Sequence, residues 1–300
     1  MNEENYAIKK HAYLIIAHNE FLVLQKAIDA VDDWKNDIYV HIDRKILLMP
    51  NLVSKKSHLF ILPERLNVKW GHISQIETEL LLFETAFNKG AYAYYHLISG
   101  THFPLKSQEY IHGLCAELNK SIFQYMETCE AEIDAKIRRY NLFNGYMMSN
   151  ISSYSYVLGH LLWILCLKPQ KILRIKRFRQ SKFYKSSNWV SLRSDAVAYL
   201  LSKKKYILKK YKYTFCGDEF FALSELMNSP LKDELYIGGR DNLKSVVLLY
   251  CCFDSHNPKV LELADFKKII ESRCLFARKF SESKSLPLLE LLIENIKKQN

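Results

Sequence analysis

Hydrophobic positions along the chain come in short continuous runs separated by amphipathic stretches. Ala12–Ile16 is apolar and partly β-branched, which predicts a buried strand. Asn19 is placed to cap a helix, and Phe21, Leu24, Ile28 and Val31 follow at three- and four-residue steps on one face. Ile38–Ile42 is a second strand, ending in Asp43. Strand, helix and strand at this spacing make a βαβ unit with a right-handed crossover. Further strands are predicted at Leu59–Pro63, Tyr92–Ile98, Ile122–Met126 and Ser187–Leu192, and within Asn242–Phe253, with a short one at Val260–Leu263. Helices are predicted over the stripe Ile73, Ile76, Leu80, Phe83 and Phe87, from Ser107 to about Leu118, over Asp195–Ser202, after Gly217, over Ala264–Glu271 and over Leu286–Lys298. Lys203–Lys212 is expected as a basic linker, and Glu127–Asn150 shows no clear period. Repeated β-loop-α units imply an α/β fold with a mostly parallel central sheet flanked by helices.

In such sheets ligands bind beyond the carboxyl ends of the strands. That edge carries His18, Asn19, His41, Asp43 and Arg44. An acid after the second strand suits a ribose or base, or else caps a turn. Trp70-Gly71 before a helix makes a ring-stacking corner. Ser99-Gly100-Thr101-His102-Phe103-Pro104 supplies small residues after a strand, where backbone can approach a ligand closely. Asp218 is placed as an N-cap and Glu219 as the first helical residue, so the carboxylate either sits primed at the helix dipole or simply caps. Arg278-Lys279, flanked by Phe276 and Phe280, either clamps a diphosphate or forms a basic surface turn.

Composition narrows the partners. At 300 residues with 49% hydrophobic positions, the chain can build a substantial core and is not disordered. A net charge of +11 calls for an anionic partner without choosing one. Seven cysteines without a C-x-x-C disfavour a zinc site or disulfide framework and suit a reducing cytoplasm. The polar N-terminal residues lack a signal-peptide core, and no apolar run is long enough to span a bilayer. Tyr154–Leu167 is strongly apolar, and Lys168–Lys185 holds eight Lys or Arg and no acid. That pair of stretches suits peripheral contact with an anionic membrane through 154–185, an acceptor groove, or a core helix with a solvated basic loop. No recognised nucleic-acid motif accompanies the charge, so nucleic acid is not an expected partner.

AHNE, YVHIDRK, VKWGHISQIETELLL, YYHLISGTHFPLKS, SNWVSL, CGDEFF and LFARKF occur in that order. Together they resemble the bacterial branch of the core-2/I-branching β-1,6-N-acetylglucosaminyltransferases, glycosyltransferase family 14, which also contains the peptide O-xylosyltransferases. The resemblance spans roughly Ala12–Phe280. It implies a single GT-A type domain, with a nucleotide-sugar-binding half at about 11–126, an acceptor-binding and catalytic half at about 127–285, and a C-terminal helix at 286–300. It also implies metal-independent, inverting transfer from a UDP-sugar, most often UDP-N-acetylglucosamine, to a glycan or lipid-linked acceptor, with no cofactor and a cytoplasmic location at the inner membrane face. No D-x-D follows a strand. By matching motif, Glu219 is the implied general base and Lys279, with Arg278 beside it, contacts the diphosphate. Asp43 holds the uridine, Trp70, His18, Gly100 and His102 line the donor cleft, and Trp189 and Asp218 face the acceptor. Two positions depart from the family pattern. His102 stands where the S-G-x-D-F-P loop has Asp, and His256 stands, by count, where some relatives place a diphosphate-binding arginine. The second cation is therefore expected from His256, Arg278 or elsewhere.

Overall fold

The computed structural model describes residues 10–146, 154–238, 247–254 and 257–298. His256 and residues 242–246 of the expected strand lie outside them. The described residues form a central sheet in the order β3-β2-β1-β4-β7-β6-β8, built from β1 (His11–Ala17), β2 (Asn36–Ile42), β3 (His58–Ile61), β4 (Tyr94–Ser99), β6 (Ser121–Gln124), β7 (Val190–Arg193) and β8 (Leu235–Gly238). All pairings are parallel except the two made by β7. β2 is buried along its whole length and β1 nearly so, as expected of strands covered on both faces.

Between β1 and β8 run α1 (Phe21–Val31), α2 (Ser74–Lys89), α3 (Gln108–Leu118), α4 (Glu130–Lys136), α5 (Tyr154–Ile172), α6 (Ser194–Ser202), α7 (Lys204–Tyr211) and α8 (Phe221–Met227), with α1 linking β1 to β2. A second, three-stranded sheet joins β5 (Phe103–Pro104) to β12 (Cys274–Arg278) and β9 (Val247–Cys251). A hairpin of β10 (Phe253–Asp254) and β11 (Asn257–Pro258), then α9 (Phe266–Glu271) and α10 (Leu286–Lys297), complete the chain. Val23 and Ala27 of α1 share a core with Phe280, Leu288 and Leu292, so the C-terminal segment packs onto the N-terminal helix.

Four local expectations are corrected. Asn19 does not cap α1. The N-cap is Glu20 in a left-handed conformation (φ 54°), and Glu282 Oε1 instead accepts from Leu22 N–H at 2.9 Å. Lys203–Lys212 is a helix, not a linker. Ile207 and Tyr211 are buried one turn apart, and the Lys210 ammonium bonds Glu225 at 2.6 Å with both side chains buried. Val260–Leu263 forms no strand, because the Glu262–Asp265 capping box starts a 3-10 turn there. Asp218 and Glu219 do not begin α8. They lie in a 3-10 turn, Gly217–Glu219, and α8 starts at Phe221.

Candidate active site

β1, β2, β4 and β6 end, and antiparallel β7 begins, at one edge of the sheet. Most of the residues singled out from the sequence lie at or beside that edge. The catalytic candidate is held by the turn before α8. Cys216 takes a left-handed conformation (φ 50°), and its N–H donates to Gly71 O at 2.9 Å. Gly71 itself has φ +66°, which favours glycine, and a Cβ there would fall 2.7 Å from the Phe215 ring. Trp70, half exposed, meets Phe215 edge-on at 5.3 Å. The Trp-Gly corner and the Glu219 turn are thus one assembly.

Glu219 Oε2 faces two ammonium groups, Lys136 at 3.3 Å and Lys185 at 3.7 Å. Glu132 Oε1 holds both lysines from behind, at 2.9 and 2.7 Å. Burial opposes ionisation of Glu132, yet the hydrogen bonds from Lys185 and Lys136 outweigh it and take the carboxyl down to about 2. Burial likewise works against the charge on Lys136, but Glu219 and Glu132 more than compensate and raise its pKa. The lysines therefore supply the positive field that a helix dipole was expected to give.

Beneath this turn lies a second acid pair. Asp218 is buried, its Oδ1 has no hydrogen-bond partner among the described residues, and burial followed by the Glu219 charge pushes its pKa up to about 7. Glu79 of α2 is also buried, with Oε1 unpartnered; burial first, then Asp218, raises its pKa against a hydrogen bond from Asn188.

A separate group of cations stands by Trp189 and His18. The Arg278 guanidinium lies over the Trp189 ring at 5.3 Å, and the His102 ring meets the same indole edge-on at 4.8 Å. His102 is fully buried, with Nδ1 bonded to Ser99 Oγ at 2.7 Å. Burial and then Arg278 lower its pKa, so the imidazole is neutral. His18 keeps an exposed ring, yet enough protein surrounds it to lower its pKa; Asp43 works against that, and Lys45, Lys279 and Arg278 work with it. His18, Asp43, Lys279 and Arg278 are thus neighbours in one electrostatic cluster.

Three placements differ from the simplest expectation. Asp43 is buried and organises its own loop: Oδ1 accepts from Lys45 N–H at 2.8 Å and Oδ2 from Val68 N–H at 3.1 Å. The turn-capping role is therefore in place. Gly100 admits protein, not an open ligand surface, because a Cβ there would lie 2.8 Å from Ala17 Cβ. Trp189 is only 8% exposed and sits under Arg278, so its ring is not an open platform for a pyranose.

Glu132, Lys136, Lys185 and Glu79 were not anticipated as site residues. One signal was available: Glu132 and Lys136 stand four apart, an ion-pair spacing on a helix, inside the stretch that showed no period. His102 Nε2, Trp189 Nε1, Arg278 Nε, Asp218 Oδ1 and Glu79 Oε1 are all buried and unpartnered among the described residues. Orphaned buried polar atoms are rare in native folds, and these five are among those of the structure; others belong to Arg138, Arg139 and Arg177.

Residues 11–238 match the family model "Core-2/I-Branching enzyme". The chain belongs to the Core-2/I-Branching enzyme family. That family is one of glycosyltransferases. The Core-2/I-Branching match includes Asp43, Trp70, His102, Trp189 and Glu219, and stops before Arg278 and Lys279. A comparison with curated proteins finds no match. Among solved structures, the crystal structure of S. aureus TarS 1-349 is similar at 9% identity and a TM-score of 0.37, over 76% of this chain and 57% of that one. That likeness is too distant to carry any residue assignment.

Proposed function

We propose that this family member moves a sugar, N-acetylglucosamine by resemblance, from a UDP-sugar to a glycan hydroxyl with inversion and without a metal ion. One observation carries the reading: a carboxylate set among lysines and a cluster of Arg278, Lys279 and His18 border the same sheet edge. In the proposed step, the acceptor oxygen forms a bond to the anomeric carbon as the carbon–oxygen bond to the diphosphate breaks. Glu219 takes the hydroxyl proton. Arg278 and Lys279 meet the charge that develops on the departing UDP, which is the part a metal plays in other transferases. Asp218 is the candidate acceptor-side neighbour; Asp43, His18, Trp70, Gly100 and His102 shape the donor side. The reading also includes action on the cytoplasmic face of a membrane, with peripheral contact through 154–185, and an acceptor that is a glycan or a lipid-linked saccharide.

A second reading, a glycan- or membrane-binding protein with a degenerate donor site, is favoured by one observation. Both Asp43 oxygens are already engaged by backbone, and His102 is buried beneath Trp189. A panel of UDP-sugars, tested for thermal protection and hydrolysis with and without a chelator, separates the two. The transferase reading expects one UDP-sugar to protect and to be hydrolysed equally in both conditions. Absence of any UDP protection supports the binder, and loss of protection with chelator overturns metal independence.

A further inference from the structure

Helix α5 carries an apolar stripe that no described residue covers. Tyr154 is 96% exposed, Leu158 61%, Leu161 54%, Leu165 54% and Ile172 80%. They follow one another at three-, four- and seven-residue steps, so they line one face. The helix is not detached from the body. Trp163 Nε1 donates to Asn141 Oδ1 at 3.0 Å, and Gln170 bonds the Tyr140 backbone at 2.8 and 3.0 Å. The stripe is thus held outward by a well-anchored opposite face.

Its charge is one-sided. Lys168, Lys171, Arg174, Arg179 and Lys182 are exposed along and after the helix, with no acid between 168 and 185. The other cations of the run have partners in the protein: Lys176, itself exposed, pairs with Asp134, Arg177 stacks on Tyr140 and Phe178, and the buried Lys185 bonds Glu132. No helix among the described residues is long and apolar enough to cross a membrane.

We propose that α5 lies flat on an anionic bilayer, with Leu158, Leu161 and Leu165 among the upper acyl carbons and the exposed cations at the headgroups. A second copy fits this face less well: parallel pairing would set Lys168 and Lys171 against their own like charges, and antiparallel pairing would offer them no anion, since α5 carries no acid. The inference rests on the proposed function only for what the anchor serves. Trp163 packs on Phe215 at 5.7 Å, and Phe215 on Trp70, so the helix is joined to the wall of the candidate site. Docking would therefore hold that wall at the membrane surface, where a lipid-carried saccharide is presented.

Flotation with phosphatidylcholine vesicles, with and without phosphatidylglycerol, tests it. The full chain should float with the anionic vesicles and be released by salt. L158Q/L161Q/L165Q should lower partition by at least about tenfold while leaving UDP protection unchanged. R174S/R179S/K182S should lower partition on anionic vesicles. Glu219→Gln should float as the parent does, so failure of the catalytic reading leaves this one standing. The proposal is overturned if the parent ignores anionic vesicles or the leucine variant partitions equally. It is also overturned if the leucine variant converts a dimer to a monomer, which gives the stripe to a second copy.

Discussion

Gly217→Ala is the sharpest structural probe of the turn that presents Glu219. A Cβ at Gly217 would lie 2.2 Å from Thr214 Oγ1, with Ile76 Cδ1 and Thr214 Cβ each at 3.3 Å. Thr214 Oγ1 cannot step aside freely, because it donates to Tyr211 O at 2.8 Å in a buried position. Forcing a methyl into such a space costs about 1–3 kcal/mol. Thr214→Ala alone loses one buried hydrogen bond, about 1 kcal/mol. The double variant removes the closest clash, so its cost should fall short of the sum by at least about 1 kcal/mol. Urea denaturation of the parent, both single variants and the double variant measures the cycle. Because a displacement near 1 Å at a reacting group can cost about a hundredfold, transfer by Gly217→Ala should fall toward that figure and recover in part in the double variant. Strict additivity, or an alanine variant as stable and active as the parent, would refute the claim that close packing against Thr214 sets the position of Glu219.

Three further outcomes follow from the same geometry. Glu132→Gln should lower kcat several-fold with little change in donor KM, since Lys136 and Lys185 lose the carboxylate that positions them; steady-state kinetics checks it. Asp218, raised from 3.8 to about 7, keeps its proton in the folded state over a range where the unfolded chain releases it, so it costs stability as pH rises through that range. The advantage of Asp218→Asn over the parent should therefore grow by about 3 kcal/mol from pH 5 to pH 8, as read from denaturation at both pH values. Lys210→Met leaves the buried Glu225 carboxylate, among the described residues, with the Tyr211 hydroxyl 3.0 Å away. It should cost about 3–5 kcal/mol in chemical denaturation.

The sheet was legible where burial on both faces leaves an uninterrupted apolar run. β1, β2 and β4 read directly, and so did the α2 stripe beside them. What escaped was decided by distant partners. The N-terminus of α1 is served by Glu282 at the other end of the chain, which no local pattern reveals. α7 looked like a linker because its sequence is dominated by lysine; burial of Ile207 and Tyr211 and the Glu225 partner of Lys210 make it a packed helix. At the site, the motif order brought Glu219, Asp43, Arg278 and Lys279 into view. It could not show that Cys216 turns left-handed against Gly71, which moves Asp218 and Glu219 out of the helix they would otherwise cap. Nor could it show that part of the basic run faces inward, since Lys185 belongs to the Glu219 cluster and only its neighbours remain on the surface.

The central claim is that the Glu219 carboxylate accepts the proton of the attacking hydroxyl. Glu219→Gln preserves the shape of the side chain and removes its basicity, so single-turnover transfer from the UDP-sugar that protects the parent measures the claim directly. The account predicts a fall of about a hundred- to ten-thousandfold with UDP protection retained. Transfer at the parent rate would contradict it.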